Sequence, residues 1–202
     1  MSDKAAVRTV RFPPAKFDSL NIPRTSLPGR RWFRVHPSRY AAVHFSLSPT
    51  HRFSHDDCPH PFFYLAGDIA TGLFERFGDV AYDKKRVVPQ SLWEAHGISW
   101  VEVPTLQICD LANPKTLSVI MADLSALMHQ DLACPQAWGL AIQKHPANFQ
   151  GIRFKSRFNG KPCLAIFARD ALKAQLREGL LGSLSKVDAA VDWLDKYRVS
   201  LY

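Results

Sequence analysis

The sequence predicts an α+β domain, and three observations carry that expectation. Phe62-Phe63-Tyr64-Leu65 is a short apolar run that reads as a buried strand, and it feeds at once into a helical pattern. Two more strand-like stretches, 98–103 and 105–109, follow one another with only Pro104 between them. Elsewhere strands and helices do not strictly alternate, which argues against a doubly wound parallel sheet. With 202 residues the chain is one domain, or one domain with additions, and is large enough to bury a core.

Residues 1–28 hold Pro13, Pro14, Pro23 and Pro28 and little periodicity. They read as an extended arm, strapped over the domain by Phe12 and Phe17. Trp32-Phe33-Arg34-Val35 is a short strand ended by Pro37. An Arg inside an aromatic strand is either a snorkelling edge residue or an anion ligand facing a cleft. Residues 49–61 form a polar loop anchored by Arg52-Phe53. Gly67-Asp68 breaks the next strand, and Asp68 can cap a helix from Ile69. On a helical wheel Ile69, Ala70, Leu73, Phe74 and Phe77 share one side, and Glu75 falls nearly opposite.

Residues 82–90 are charged and loop-like, and 91–97 suit one helical turn. Asn113-Pro114, a cap followed by a first-turn proline, starts a helix through about Met128. Pro135 starts another, which runs until His145-Pro146, with Ala137, Trp138, Ala141 and Ile142 on one face. Gly151-Ile152-Arg153-Phe154 is a strand, 155–160 a turn, and 163–167 a buried strand. Asp170 caps a helix to about Leu181. Ser185 and Asp188 form a capping box for a last helix with Val187, Val191 and Leu194 as its stripe.

The net charge is +8, and arginines gather early, at Arg8, Arg11, Arg24, Arg30, Arg31, Arg34, Arg39 and Arg52. A positive cleft attracts nucleic acid, a phosphorylated small molecule or an acidic protein, and charge alone does not choose. No apolar run approaches the roughly 20 residues of a membrane span, and no secretory signal is evident, so a cytoplasmic protein is the expectation. Cys58, Cys109, Cys134 and Cys163 contain no CxxC pair and read as reduced, partly buried thiols. His51, His55, Asp56, Asp57, Cys58 and His60 sit between prolines and suit a polar loop better than a metal site. There is no GxGxxG and no phosphate loop ending in Gly-Lys, which excludes the common ATPase and dehydrogenase signatures. HExxH and GxSxG are absent as well.

Three polar landmarks remain: Arg34 in a strand, Glu75 on a helix after Tyr64, and Ser156 in a turn between strands. Around them stand Trp32-Phe33-Arg34-Val35, Arg52-Phe53, Phe63-Tyr64-Leu65-Ala66 with Glu75, and Gly151-Ile152-Arg153-Phe154-Lys155-Ser156-Arg157 followed by Cys163-Leu164-Ala165-Ile166-Phe167. In this order the segments, covering roughly residues 30 to 168, resemble the RES-domain family, named for an Arg, a Glu and a Ser. The chain departs from many members in having Val35 after the first Arg and Phe53 after the second.

The resemblance implies an ADP-ribosyltransferase-like mixed sheet with flanking helices. It divides the chain into an N-terminal arm at 1–28, a RES-like NAD-binding catalytic domain at 29–169, and C-terminal helices packed on it at 170–202. It implies a toxin of a toxin–antitoxin pair that cleaves the nicotinamide–ribose bond of NAD, by hydrolysis or phosphorolysis. Protein ADP-ribosylation is the alternative within the same chemistry, and a non-enzymatic basic module is the alternative outside it. NAD is then the substrate, no metal is expected, and the usual partner is an Xre-type antitoxin. Neither membrane nor direct nucleic-acid binding is expected, and a homodimer stays open. The chemistry of the residues fits the same roles. Arg34 and Arg52 suit a pyrophosphate as bidentate clamps, and Tyr64 offers an aromatic face to a cationic nicotinamide ring. Glu75 can stabilise positive charge growing on the ribose. Ser156 can hydrogen-bond at the nicotinamide end or the ribose, and no His–Asp pair is placed to make it a nucleophile. Arg157 serves either the phosphates or a surface acid.

Overall fold

The computed structural model describes residues 11–202, so Arg8 and the first ten residues of the arm lie outside it. Within the described residues the elements run β1 (Arg24–Leu27), β2 (Arg30–Pro37), β3 (Phe62–Ala66), α1 (Ile69–Tyr82), β4 (Val87–Val88) and α2 (Gln90–Glu94). Next come β5 (His96–Val103), β6 (Leu106–Asp110), α3 (Pro114–Ile120), α4 (Leu124–Leu127) and α5 (Ala133–Lys144). The chain ends with β7 (Gly151–Lys155), β8 (Pro162–Phe167), α6 (Asp170–Lys173), β9 (Arg177–Ser183), α7 (Asp188–Tyr197) and β10 (Ser200–Leu201).

Eight strands form one sheet in the order β1-β6-β7-β8-β3-β2-β5-β9. The β6–β7 pair is parallel and the other pairs in it are antiparallel, so the sheet is mixed, as the family resemblance implies. β2 and β3 share a single residue pair, Phe33 with Ala66. Beyond it the two strands part, and Ser46 bridges to Phe62 on the edge of β3 that β2 leaves free. The sheet is therefore two halves hinged at one point, with a wedge between them.

Strand alternation sends neighbouring residues of β3 to opposite faces. Phe62 joins a core with Phe53, Trp138, Ile152 and Phe167 under α5. Phe63 and Leu65 join Trp32, Val101, Leu164 and Leu172 on the other face. A third cluster, Leu73, Phe74, Phe77, Trp93 and Trp193, fixes α1 against α7 and the β2–β5 half. α1 crosses the hinge closely: a Cβ on Gly72 would lie 3.3 Å from Val35. The same helix meets the β7–β8 turn at Gly78, where a Cβ would lie 2.7 Å from the Phe158 ring.

Asp68 caps α1 as its sequence position requires, accepting from the Thr71 N–H at 2.7 Å. On that helix Ala70 is exposed, and Gly78 and Ala81 complete the buried face in its place. Phe17 packs edge-on against Trp138, whereas Phe12 is exposed, so one of the two expected anchors of the arm holds. The helix expected from Asn113 to Met128 is two helices: Met121 turns left-handed at φ 57°, and Asp123 caps the second by accepting from Ala126 N–H. The helix expected from Asp170 to Leu181 stops at Lys173, and Arg177–Ser183 becomes the edge strand beside β5. The Ser185 capping box does not form, because 184–186 take a 3-10 turn and α7 starts without a side-chain cap. α7 buries Ala190 and Trp193, and Val191 is exposed. Among the described residues no helix is long and apolar enough to cross a membrane.

Candidate active site

A cavity of about 550 Å³ opens where the sheet halves part, within the ~300–1,000 Å³ usual for small-molecule sites. α1 supplies Glu75, Arg76 and Asp79 to its wall. β2 supplies Arg34, the 49–61 loop His51 and Arg52, β3 Tyr64, and the β7–β8 turn Arg157. Side chains far apart in sequence thus share one recess.

Glu75 projects from the side of α1 opposite Leu73 and Phe77 and reaches the recess, where water can touch it while protein surrounds it. Ser156 Oγ donates to Glu75 Oε1 at 2.6 Å and accepts from Phe158 N–H at 3.3 Å. Ser156 is only 1% exposed and does not line the cavity. It holds Glu75, whereas its sequence position alone suggested contact with a ligand. Burial pushes the Glu75 carboxyl above its ordinary range, and the Ser156 hydrogen bond, Arg52 and Arg157 act against that shift.

Arg34 donates through Nη1 to the carbonyls of Ala42 and His44 and lies over the Phe63 ring, 4.9 Å from its centroid. Burial lowers it to about 10, with Glu178 opposing, so it stays charged at neutral pH. Arg52 Nη1 donates to Leu127 O at 3.0 Å and His129 O at 3.3 Å. Burial lowers its pKa, and Glu75 opposes the shift. Arg157 pairs with Asp79 and also borders the cavity, so both of its expected roles stay available to it. The Tyr64 hydroxyl accepts from Phe53 N–H at 3.0 Å, and burial raises its pKa. The Tyr64 ring stacks with Phe62 at 5.8 Å and meets His51 at 5.3 Å.

Among the lining residues to which the sequence assigns no site role are His51 and Arg76. His51 was placed in a polar loop; burial, then Arg34 and Arg76, hold its pKa below the ordinary histidine range. Arg76 follows Glu75 directly, and two adjacent charges on the polar side of a helix were its only signal. Arg34, Arg52 and Arg76 make no ion pair among the described residues, so the recess presents cations that an anionic ligand can satisfy. Among the described residues no group of three or more His, Cys, Asp or Glu is placed to hold a metal ion. Phe53, one departure from the family pattern, is fully buried against Phe154 at 5.1 Å. Val35, the other, lines the cavity and touches α1 near Gly72.

A RES domain family model matches residues 31–183, which takes in β2 through β9. The fold is similar to a chain of the M. tuberculosis MbcT–MbcA toxin–antitoxin complex, with a TM-score of 0.60 at 16% identity. The likeness covers 87% of this chain and 93% of that one. It shows the fold, a mixed sheet with flanking helices. No curated protein matches the sequence.

Proposed function

The chain belongs to the RES-domain family, and from that premise we propose that it is the toxin of a toxin–antitoxin pair that degrades NAD by cleaving the nicotinamide–ribose bond. The observation that carries the reading is one carboxylate, Glu75, held by a buried serine in a recess whose other charged walls are mainly arginine. NAD has the matching chemistry: two pyrophosphate charges, and a glycosidic bond whose rupture leaves positive charge on the ribose.

Arg34 and Arg52 each keep guanidinium nitrogens beyond the Nη1 already bonded to backbone, and these are the donors offered to the pyrophosphate. Tyr64 supplies an aromatic wall for the nicotinamide. When the C1′–N bond breaks, its electron pair leaves with nicotinamide, which departs neutral. The ribose becomes oxocarbenium-like, and the Glu75 carboxylate stabilises it and accepts from a ribose hydroxyl. An acceptor oxygen then bonds to C1′ and its proton is lost to solvent. Ser156 favours the ionised form of Glu75 and aims it, and His51 borders the same recess.

The similar solved chain was crystallised with an antitoxin, and an antitoxin partner, of the Xre type usual in this family, is proposed here too. The test is incubation of purified protein with NAD, with and without phosphate, followed by mass spectrometry. Free nicotinamide with ADP-ribose means water is the acceptor, and nicotinamide with a phosphorylated ADP-ribose means phosphate. A protein whose mass has risen by one ADP-ribose means transfer to a protein side chain. Folded protein that releases no nicotinamide under any of these conditions overturns the reading.

A further inference from the structure

The structure assigns a role to two residues outside the Arg, Glu and Ser set. We propose that Arg76 is an anion ligand of the cavity and that His96 is the positioning residue that aims it. The inference rests on the NAD reading, because it names a further contact for the pyrophosphate in that recess.

Arg76 Nε donates to His96 Nε2 at 2.9 Å. The other nitrogen of that ring, Nδ1, lies 2.7 Å from Leu92 O. An arginine Nε–H can only donate and a carbonyl can only accept, so both contacts form only if Nδ1 carries the proton and Nε2 carries the lone pair. His96 is therefore a neutral acceptor with one fixed tautomer. It is 2% exposed at the start of β5, its ring edge-on to Phe77 at 5.7 Å. The imidazole is thus held by α2 through Leu92 and by α1 through Phe77. Burial lowers the His96 pKa, with Arg76 and His36 adding to that, which keeps the ring neutral.

The bond engages Nε alone. Among the described residues Arg76 has no carboxylate partner and its two Nη groups have no hydrogen-bond acceptor, yet Arg76 lines the cavity. A neutral acceptor at Nε fixes the plane of the guanidinium without neutralising its charge, which a carboxylate there would do. That leaves a pre-aimed fork of donors facing the recess, the geometry suited to a phosphate.

The test is calorimetric titration with ADP-ribose, which carries the pyrophosphate and cannot be cleaved at the missing nicotinamide bond. The proteins are wild type, Arg76→Gln, Arg76→Lys, His96→Phe, His96→Gln and the Arg76→Gln/His96→Phe pair, each checked for folding by circular dichroism. Arg76→Gln should weaken binding roughly tenfold or more, as expected for a lost charged hydrogen bond. His96→Phe should weaken it similarly and the pair no further, since one acts through the other. His96→Gln, whose amide oxygen can take the Nε2 position, should restore most of the affinity. If His96→Phe fails to fold, His96→Gln and the two Arg76 variants carry the comparison. Wild-type affinity in Arg76→Gln, multiplying effects in the pair, or no rescue by His96→Gln would overturn the proposal. ADP-ribose binding of this pattern in a protein that releases no nicotinamide from NAD would sink the NAD-cleaving reading and leave this one standing. Wild type that binds no ADP-ribose but releases nicotinamide from NAD overturns this inference and leaves the NAD-cleaving reading standing.

Discussion

A buried hydroxyl and a carboxylate set the chemistry at the scale of single residues. The charged form of Glu75 is the one that can stabilise an oxocarbenium-like ribose, and burial works against that form while Ser156 supports it. The sign follows: activity rises with pH as Glu75 loses its proton, with a midpoint above the ordinary carboxylate range. Ser156→Ala removes a hydrogen bond to the charged form, so that midpoint should move further up and activity should recover at higher pH. An unmoved acidic limb in the pH dependence of kcat would contradict the assignment. Arg34→Ala should raise KM for NAD, since it removes a half-buried cation that makes no ion pair among the described residues, with a loss of about tenfold or more in affinity. Arg34, Glu75 and Ser156 became candidates through the resemblance to the RES-domain family, in which an Arg, a Glu and a Ser follow in that order. The part Ser156 plays was not legible, because its 2.6 Å contact joins residues 81 positions apart. Arg76 was hidden for the same reason, since its partner His96 reads as part of a helical turn until α1, α2 and β5 are assembled.

Among the elements, α1 was the most legible. Its cap, its apolar stripe and its polar side agree with one another, and Asp68→Ala should cost about 1 kcal/mol in urea unfolding, from loss of the Thr71 bond. The loss should also shift Glu75, two turns along, so a drop in kcat is expected alongside the fall in stability. A destabilisation below a few tenths of a kcal/mol would show that the cap does not hold the helix start. β9 was misread because residues 170–178 are mostly good helix formers, and intrinsic preference argued for continuing the helix. The open edge of β5 overrides it: from Arg177 to Ser183 the backbone pairs with that edge, with a shift in register between Ile98 and Ser99. The α3–α4 break escaped notice because buried apolar residues continue on both sides of it, at Ile120, Ala126 and Leu127, while the left-handed Met121 between them leaves no pattern in hydrophobicity.

For the molecule as a whole, the wedge between sheet halves is what gathers these residues. Phe33 and Ala66 join the halves, α1 lies over the join, and the two strands that part from it present Arg34 on one side and Tyr64 on the other. The +8 charge bears on how substrate arrives, because exposed cations around the recess draw an anionic dinucleotide. ADP-ribose affinity should therefore fall as salt rises from 50 to 500 mM while the fold is unchanged, and a salt-independent affinity would remove electrostatics from recognition. The α+β class was foreseeable from strands and helices that do not alternate, but the wedge was not, since pairing at a single position leaves no mark in either strand's sequence. Single-turnover release of nicotinamide from NAD by wild type and by Glu75→Gln tests the central claim most directly. Wild type should release nicotinamide and the variant should be slower by roughly 10²–10³-fold while still binding NAD. Equal rates in the two proteins, or no release by either, would contradict it.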